Sequence, residues 1–227
     1  MSTLVLFDFD GTLADTAPDM AAAANLLRQR RGLSTLPVNA MRPFVSMGVR
    51  GMLRVSLDMM PTDQGFEEAK QEFLFEYERA STIHTALFDG MANLLDQIER
   101  QNMAWGIVTN KATYLAQPIV TWLGLDDRCK VLVCGDTTPH AKPHPLPLLH
   151  AAQKAGFETQ HCIYIGDDIR DIQAGRAAGM PVVAAAYGYC GSDLPVDQWE
   201  ADHLVNHPEE IWPVVQGHSL KMNAGNP

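Results

Sequence analysis

Asp8 and Asp10 stand two residues apart in Phe7-Asp8-Phe9-Asp10-Gly11-Thr12, directly after the apolar run Leu4-Val5-Leu6. Alternation along a strand turns both carboxylates to one side. Side by side they repel, and their burial is costly unless a cation or a shared proton compensates. Solvated acids at a strand end would read the same in isolation, so the other polar clusters decide. "GIVTNK" ends an apolar run on Thr109-Asn110, "HAKPHP" carries Lys142, and "IGDDIRD" brings Asp167, Asp168 and Asp171. Carboxylates from two strands, with a lysine and a hydroxyl nearby, make a hard-cation site for a phosphate ester. Mg2+ prefers oxygen ligands and takes one or two carboxylates plus substrate phosphate.

Such groups meet only if the fold brings strand ends together. Short apolar runs at 3–7, 105–109, 131–134, 162–166 and 181–186, with a weaker one at 203–205, read as strands. Helical patterns at 91–100, 113–123, 146–154 and 169–178 separate them, with Gly124, Gly156 and Gly179 placed as C-caps and Pro118 expected to kink or break its helix. The alternation implies a mostly parallel sheet with helices on both faces and a ligand site at the carboxyl ends of its strands.

Between the first strand and Met91 no strand is evident. Thr16 reads as an N-cap with Asp19 three residues on, and Met20, Ala23, Ala24 and Leu27 form one apolar face. Arg28, Arg30 and Arg31 are placed to complement the helix dipole, and further helices are expected near 50–59 and 66–80. The expected organisation is a core of residues 1–15 and 86–227 and an all-helical insert, 16–85, rooted where it covers the site. Residues 222–227 are expected to fray.

Of 227 residues, 17 are Lys or Arg and 27 are Asp or Glu, a net charge of -10. That balance argues against nucleic acid or an anionic membrane as the main partner. Cys129, Cys134, Cys162 and Cys190 form no CxxC pair, as in a reduced cytoplasmic protein. No apolar run is long enough for a membrane span, and the opening residues lack the basic region of a signal peptide. His140, His144 and His150 lack close ligand spacing and read as structural or solvated.

The four motifs, in order, resemble those of the haloacid dehalogenase superfamily: Asp8-Phe9-Asp10-Gly11-Thr12, Thr109-Asn110, Lys142-Pro143, and Gly166-Asp167-Asp168 with Asp171. The chain is similar to its phosphoglycolate phosphatase group, and "LFDGM", "WGIVTNK" and "YGY" also resemble N-acetylmuramic acid 6-phosphate phosphatases. The resemblance implies a Rossmann-like α/β core with a helical cap. It implies a Mg2+-dependent phosphomonoesterase acting on a small phosphorylated metabolite. Asp8 would be the nucleophile, and Asp10 the general acid and base. Mg2+ would be held by Asp8, the Asp10 backbone carbonyl and Asp167, with Asp168 and Asp171 behind them. Thr109 would hydrogen-bond a phosphoryl oxygen and Lys142 would supply positive charge where negative charge builds up, with Gly11, Thr12 and Asn110 beside the substrate. A phosphosugar mutase is the alternative chemistry, returning the phosphoryl group to a second hydroxyl. A monomer or homodimer is expected.

Both candidate phosphatase substrates carry a carboxylate besides the phosphate. "PFVSMGVRGML" in the insert offers Arg50 near a helix start, where a guanidinium could grip that second anion.

Overall fold

The computed structural model describes residues 3–191 and 194–224, with side chains through residue 222. In chain order the elements begin with β1 (Leu4–Phe7), β2 (Ala14–Asp15), α1 (Ala17–Arg30), α2 (Val38–Met41), α3 (Gly48–Leu57), α4 (Phe66–Ala80) and β3 (Ala86–Leu87). They continue as α5 (Met91–Arg100), β4 (Ala104–Val108), α6 (Thr113–Trp122), β5 (Leu132–Val133), α7 (Leu146–Ala155), β6 (Cys162–Gly166), α8 (Ile169–Ala177), β7 (Val182–Ala185), β8 (His203–Val205) and α9 (Ile211–Ala224).

Six parallel strands form one sheet in the order β5-β4-β1-β6-β7-β8. β1 is central, with Phe7 opposite Ile107 on one side and Ile165 on the other. Its four residues are fully buried, and they alternate between two cores. Val5 and Phe7 join a core that includes Leu94 and Ile98 of α5, and Leu4 and Leu6 join one with Leu148 of α7 and Ile172 of α8. Both faces of the sheet are therefore covered, which is why its strands read as apolar runs. The chain leaves β1 toward β4 and β5, then returns to β6 on the other side. The crevice at β1 is thus the topological switch point, where α/β sheets bind ligands.

The expected strands and the four core helices lie within about a residue or two of their places, and Gly124, Gly156 and Gly179 all take positive φ. Other expectations need correction. α6 runs unbroken through Pro118, because Pro118 is on the exposed face and the Tyr114 carbonyl that loses its partner lies at an exposed residue. β2 and β3 form a two-residue antiparallel ribbon, Ala14 opposite Leu87 and Asp15 opposite Ala86, on either side of the helical segment α1 to α4. α9 carries residues 222–224, where fraying was expected, and 225–227 lie outside the described residues.

Between β2 and β3 the regular structure is helical. α1 packs against α3 and α4. Its arginines do more than offset the dipole. Arg30 and Arg31 reach Glu72 and Glu76 on α4, and Arg28 donates to the carbonyls of Ser34 and Ser56. The exposed pairs add little stability each. Among the described residues no helix is long and apolar enough to cross a membrane.

Candidate active site

β1 delivers Asp8 to the switch point, its N–H held by the Ile165 carbonyl at 2.8 Å. Lys142 Nζ lies 2.7 Å from both Asp8 Oδ1 and Asp171 Oδ1, with the Val108 carbonyl at 3.0 Å and the Tyr164 hydroxyl at 2.8 Å. Asp167 is fully buried, accepting from Thr12 Oγ1 and the Tyr189 N–H, both at 2.8 Å. Oxygens of Asp8, Asp167 and Asp171 lie within 4.8 Å of one another. Burial pushes the Asp8 carboxyl up to about 7, against the opposing charge of Lys142. Burial, with Asp8 and Asp171 nearby, holds Asp167 well above the usual range. Lys142 stays an ammonium. Burial opposes its charge, but Asp171 and Asp8 outweigh that and raise it.

Asp10 sits apart from that trio. Its Oδ1 accepts from Lys111 Nζ at 2.9 Å and Thr16 Oγ1 at 2.5 Å. Thr16 therefore serves Asp10 and makes no side-chain cap on α1. Asp19 is equally diverted, accepting from the N–H groups of His84 and Thr85 and from the Thr85 hydroxyl instead of closing a capping box. Lys111 also donates to the Tyr77 hydroxyl of α4 at 2.9 Å. Burial lowers Lys111, yet Asp10 and Tyr77 raise it more, and the Tyr77 phenol is pushed up to about 12, chiefly by burial. Sequence alone assigns no role to Lys111 or Tyr77, although Lys111 directly follows Thr109-Asn110.

Thr109 is buried, and its Oγ1 accepts the Lys111 N–H at 3.1 Å, which leaves the hydroxyl proton for a ligand. The Asn110 amide takes both backbone groups of Lys142, each at 2.9 Å, so it holds the Lys142 loop in place. Thr12 is committed to Asp167. Gly11 has φ 91°, and a Cβ there would overlap Asp167 Oδ2 and the Tyr189 ring, so the close approach requires glycine.

The capping box lies instead on α8. Asp168 accepts from the Arg170 N–H, and Asp171 Oδ2 accepts from the Asp168 N–H. Burial would raise Asp168, but the bonds and charge of Arg170 hold it below the usual range. Arg170, also missed in the sequence, pairs with both Asp168 oxygens and donates to the Ser46 carbonyl at 2.6 Å, bridging α8 to the helical segment.

A cavity of about 560 Å³ opens over these groups. Asp8, Asp10, Thr109, Lys111, Lys142 and Arg170 line it from the sheet side, and Met20, Val45, Val49, Phe73, Leu74 and Tyr77 from the helical side. Arg50 is exposed and lines the same cavity, and its side chain makes no ion pair or hydrogen bond with the described residues.

Tyr189, in the loop after β7, ties the site to the start of α1. Its hydroxyl accepts the N–H groups of Thr16 and Ala17 at 2.8 and 3.0 Å and donates to Asp15 Oδ1 at 3.0 Å. It thereby caps α1 from another element. Arg42 grips Asp15 with both Nη atoms and lies over the Tyr189 ring. Tyr187 donates to the Thr12 carbonyl. Tyr189→Phe is expected to cost about 1–2 kcal/mol as a lost cap, lowering Tm by roughly 2–8 °C in a thermal melt. An unchanged Tm would mean that another group takes over both N–H groups.

A model of the haloacid dehalogenase-like hydrolase family matches residues 5–185. A phosphoglycolate phosphatase of Xanthomonas campestris pv. campestris is 49% identical over 210 residues, 92% of this chain and 94% of that protein. An N-acetylmuramic acid 6-phosphate phosphatase of Pseudomonas putida is 42% identical over 211 residues, 93% of this chain and 95% of that protein. A crystal structure of a predicted phosphoglycolate phosphatase from Haemophilus somnus 129PT superposes with a TM-score of 0.83 at 27% identity, covering 95% of this chain and 98% of that one.

Proposed function

The chain belongs to the haloacid dehalogenase-like hydrolase family, and from that premise we propose that it hydrolyses a small carboxylated phosphate monoester through an aspartyl-phosphate on Asp8, with Mg2+ as cofactor. The observation that carries this reading is Asp8 itself: a strand-held carboxylate, one oxygen on Lys142, facing a cavity that Asp10 also lines.

The donor set fits Mg2+. Three buried carboxylates meet one ammonium, so negative charge is left over, and all the candidate donors are hard oxygens. Asp8, Asp167 and the Asp10 carbonyl would hold the ion. When bound, Mg2+ supplies charge that screens the phosphoryl group from the carboxylates.

The chain's own residues supply the rest. Asp8 attacks phosphorus, and Lys142 offsets the charge that builds there. Thr109 donates its free hydroxyl proton to a phosphoryl oxygen. Asp10 protonates the leaving oxygen, then takes a proton from the water that cleaves the acyl phosphate. Thr12 and Tyr189 hold Asp167, and Asp171 holds Lys142 from behind. Residues 16–85 act as a cap domain on a core of 1–15 and 86–227. Four free thiols suit a cytoplasmic enzyme.

Arg50 is the proposed grip on the substrate carboxylate. Arg50→Ala is expected to lower kcat/KM by roughly 10- to 100-fold on a carboxylated ester, the loss of one charge-assisted bond of ~1.5–3 kcal/mol. An uncharged aryl phosphate should be almost unaffected. Equal losses on both would point to damaged cap seating.

A second reading has its own support. The cavity has the size that holds a drug-sized ligand, about 300–1,000 Å³, more than a two-carbon acid phosphate fills. Its helical wall is largely apolar, and Ser46 Oγ is buried beside it without a partner. That favours a bulkier acidic sugar phosphate such as N-acetylmuramic acid 6-phosphate. Phosphate release from a panel containing this ester, 2-phosphoglycolate and β-glucose 1-phosphate, with Mg2+, tests all three chemistries. Isomerisation without net release would identify a mutase, and silence on every ester would overturn the reading.

A further inference from the structure

We propose that Lys111 is the positioning residue that aims Asp10, and that Tyr77 makes this aim depend on how α4 is seated. The proposal rests on the phosphomonoesterase reading above.

Asp10 has two carboxylate oxygens with different surroundings. Oδ1 accepts from both Lys111 Nζ and Thr16 Oγ1, while Oδ2 accepts from no group among the described residues. A carboxylate pinned through one oxygen presents the other in a set direction. Asp10 lines the cavity, so the unpinned oxygen is the one left for proton transfer. The proton moves from Oδ2 to the leaving oxygen as its bond to phosphorus breaks and the Asp8–phosphorus bond forms. In the second step the same oxygen takes a proton from water as the water oxygen bonds phosphorus and the Asp8–phosphorus bond breaks.

Lys111 is itself fixed at several points. Its N–H donates to Thr109 Oγ1, and its carbonyl accepts from the Gly135 N–H at 2.9 Å. Its side chain is 6% exposed, and Nζ spans from Asp10 to the Tyr77 hydroxyl, lying 4.6 Å from the Tyr77 ring centroid. Tyr77 is buried and stacked on Phe73 of the same helix. One ammonium therefore joins the loops after β1 and β4 to a helix of the insert. As a device for stability this is poor, because a buried ion pair roughly breaks even against apolar packing. As a device for placement it is effective. A misplacement of about 1 Å at a reacting group costs on the order of 10²-fold.

The test compares wild type with Lys111→Met, Lys111→Arg and Tyr77→Phe, in Mg2+. Each is assayed on the alkyl ester that wild type hydrolyses and on p-nitrophenyl phosphate, whose leaving group needs no proton. Lys111→Met is expected to lower kcat on the alkyl ester by roughly 30- to 100-fold with little change in KM. Tyr77→Phe should lose roughly a tenth as much, and Lys111→Arg should recover part of the loss. On p-nitrophenyl phosphate, Lys111→Met should release a burst of one p-nitrophenolate per enzyme and then turn over slowly, since only the second step then waits on Asp10. A raised KM with kcat intact would overturn the proposal by showing that Lys111 grips substrate. Equal loss of first-turnover rate on both esters, with no burst, would overturn it as general damage. An unaffected Tyr77→Phe would remove the link to α4. Wild type releasing no phosphate from any ester is a different failure, that of the phosphatase reading itself.

Discussion

Asp8→Asn is expected to abolish phosphate release while leaving the metal-free protein at least as stable as before. An amide is a poor nucleophile, and losing a nucleophile costs at least on the order of 10⁴-fold in kcat. Stability should move the other way. The amide oxygen of the variant can still accept from Lys142, which now donates to Asp8 Oδ1 at 2.7 Å. What disappears is one of three crowded buried carboxylates, the one whose carboxyl burial lifts to about 7. The wild-type protein keeps a charge there for chemistry at the expense of stability, a trade common at active sites. Asp10→Asn should differ in kind. It should lose roughly 10²–10⁴-fold, the scale of general acid–base catalysis, and keep its metal through the unchanged backbone carbonyl. Phosphate release and a thermal melt of both variants check this. Turnover by Asp8→Asn, together with loss of metal binding in Asp10→Asn, would reverse the assigned roles.

The sheet was legible because its inner strands β1, β6 and β7 are buried on both faces and therefore read as apolar runs, β1 most clearly. The polar residues at strand ends were legible because a carboxylate after such a run demands a reason. The β2–β3 ribbon was not, since two residues per strand carry no period. Thr16 and Asp19 misled for a related cause. A local N-cap pattern is a statement about the helix's own first turn, and here both side chains are taken by groups outside the helix, Asp10 and the His84–Thr85 backbone. Lys111, Arg170 and Tyr189 share that property. Tyr77, Ser46 and Thr16, which they reach, lie 34, 124 and 173 residues away in the chain, although Arg170 also pairs with nearby Asp168, so only the folded chain shows what they do. Asn110 was visible as a polar residue at the site, but its attachment to Lys142 depends on a loop path that composition does not encode.

Removing the metal is expected to stop turnover and to expose an unusual dependence of stability on pH. Excess chelator should abolish phosphate release, and Mg2+ should restore it. Ca2+, which takes about 6–8 oxygen ligands, should substitute poorly. Undiminished turnover in chelator would remove the proposed cofactor. The stability effect follows from Asp8 and Asp167. A carboxyl raised on folding binds its proton more tightly in the native state than in the unfolded chain. Its contribution is therefore fully present below its ordinary value of 3.8 and is lost as pH rises to the folded value of about 7. For Asp8 that span is worth on the order of 4 kcal/mol, and Asp167 acts in the same direction. The metal-free protein should thus lose Tm between pH 4 and pH 7, roughly 8–16 °C if Asp8 alone titrates. Mg2+ requires the ionised carboxylates, so it should raise Tm strongly at pH 8 and hardly at pH 5. Melts across that range, with chelator and with Mg2+, read the difference directly. Parallel curves would mean that Asp8 and Asp167 do not hold the ion.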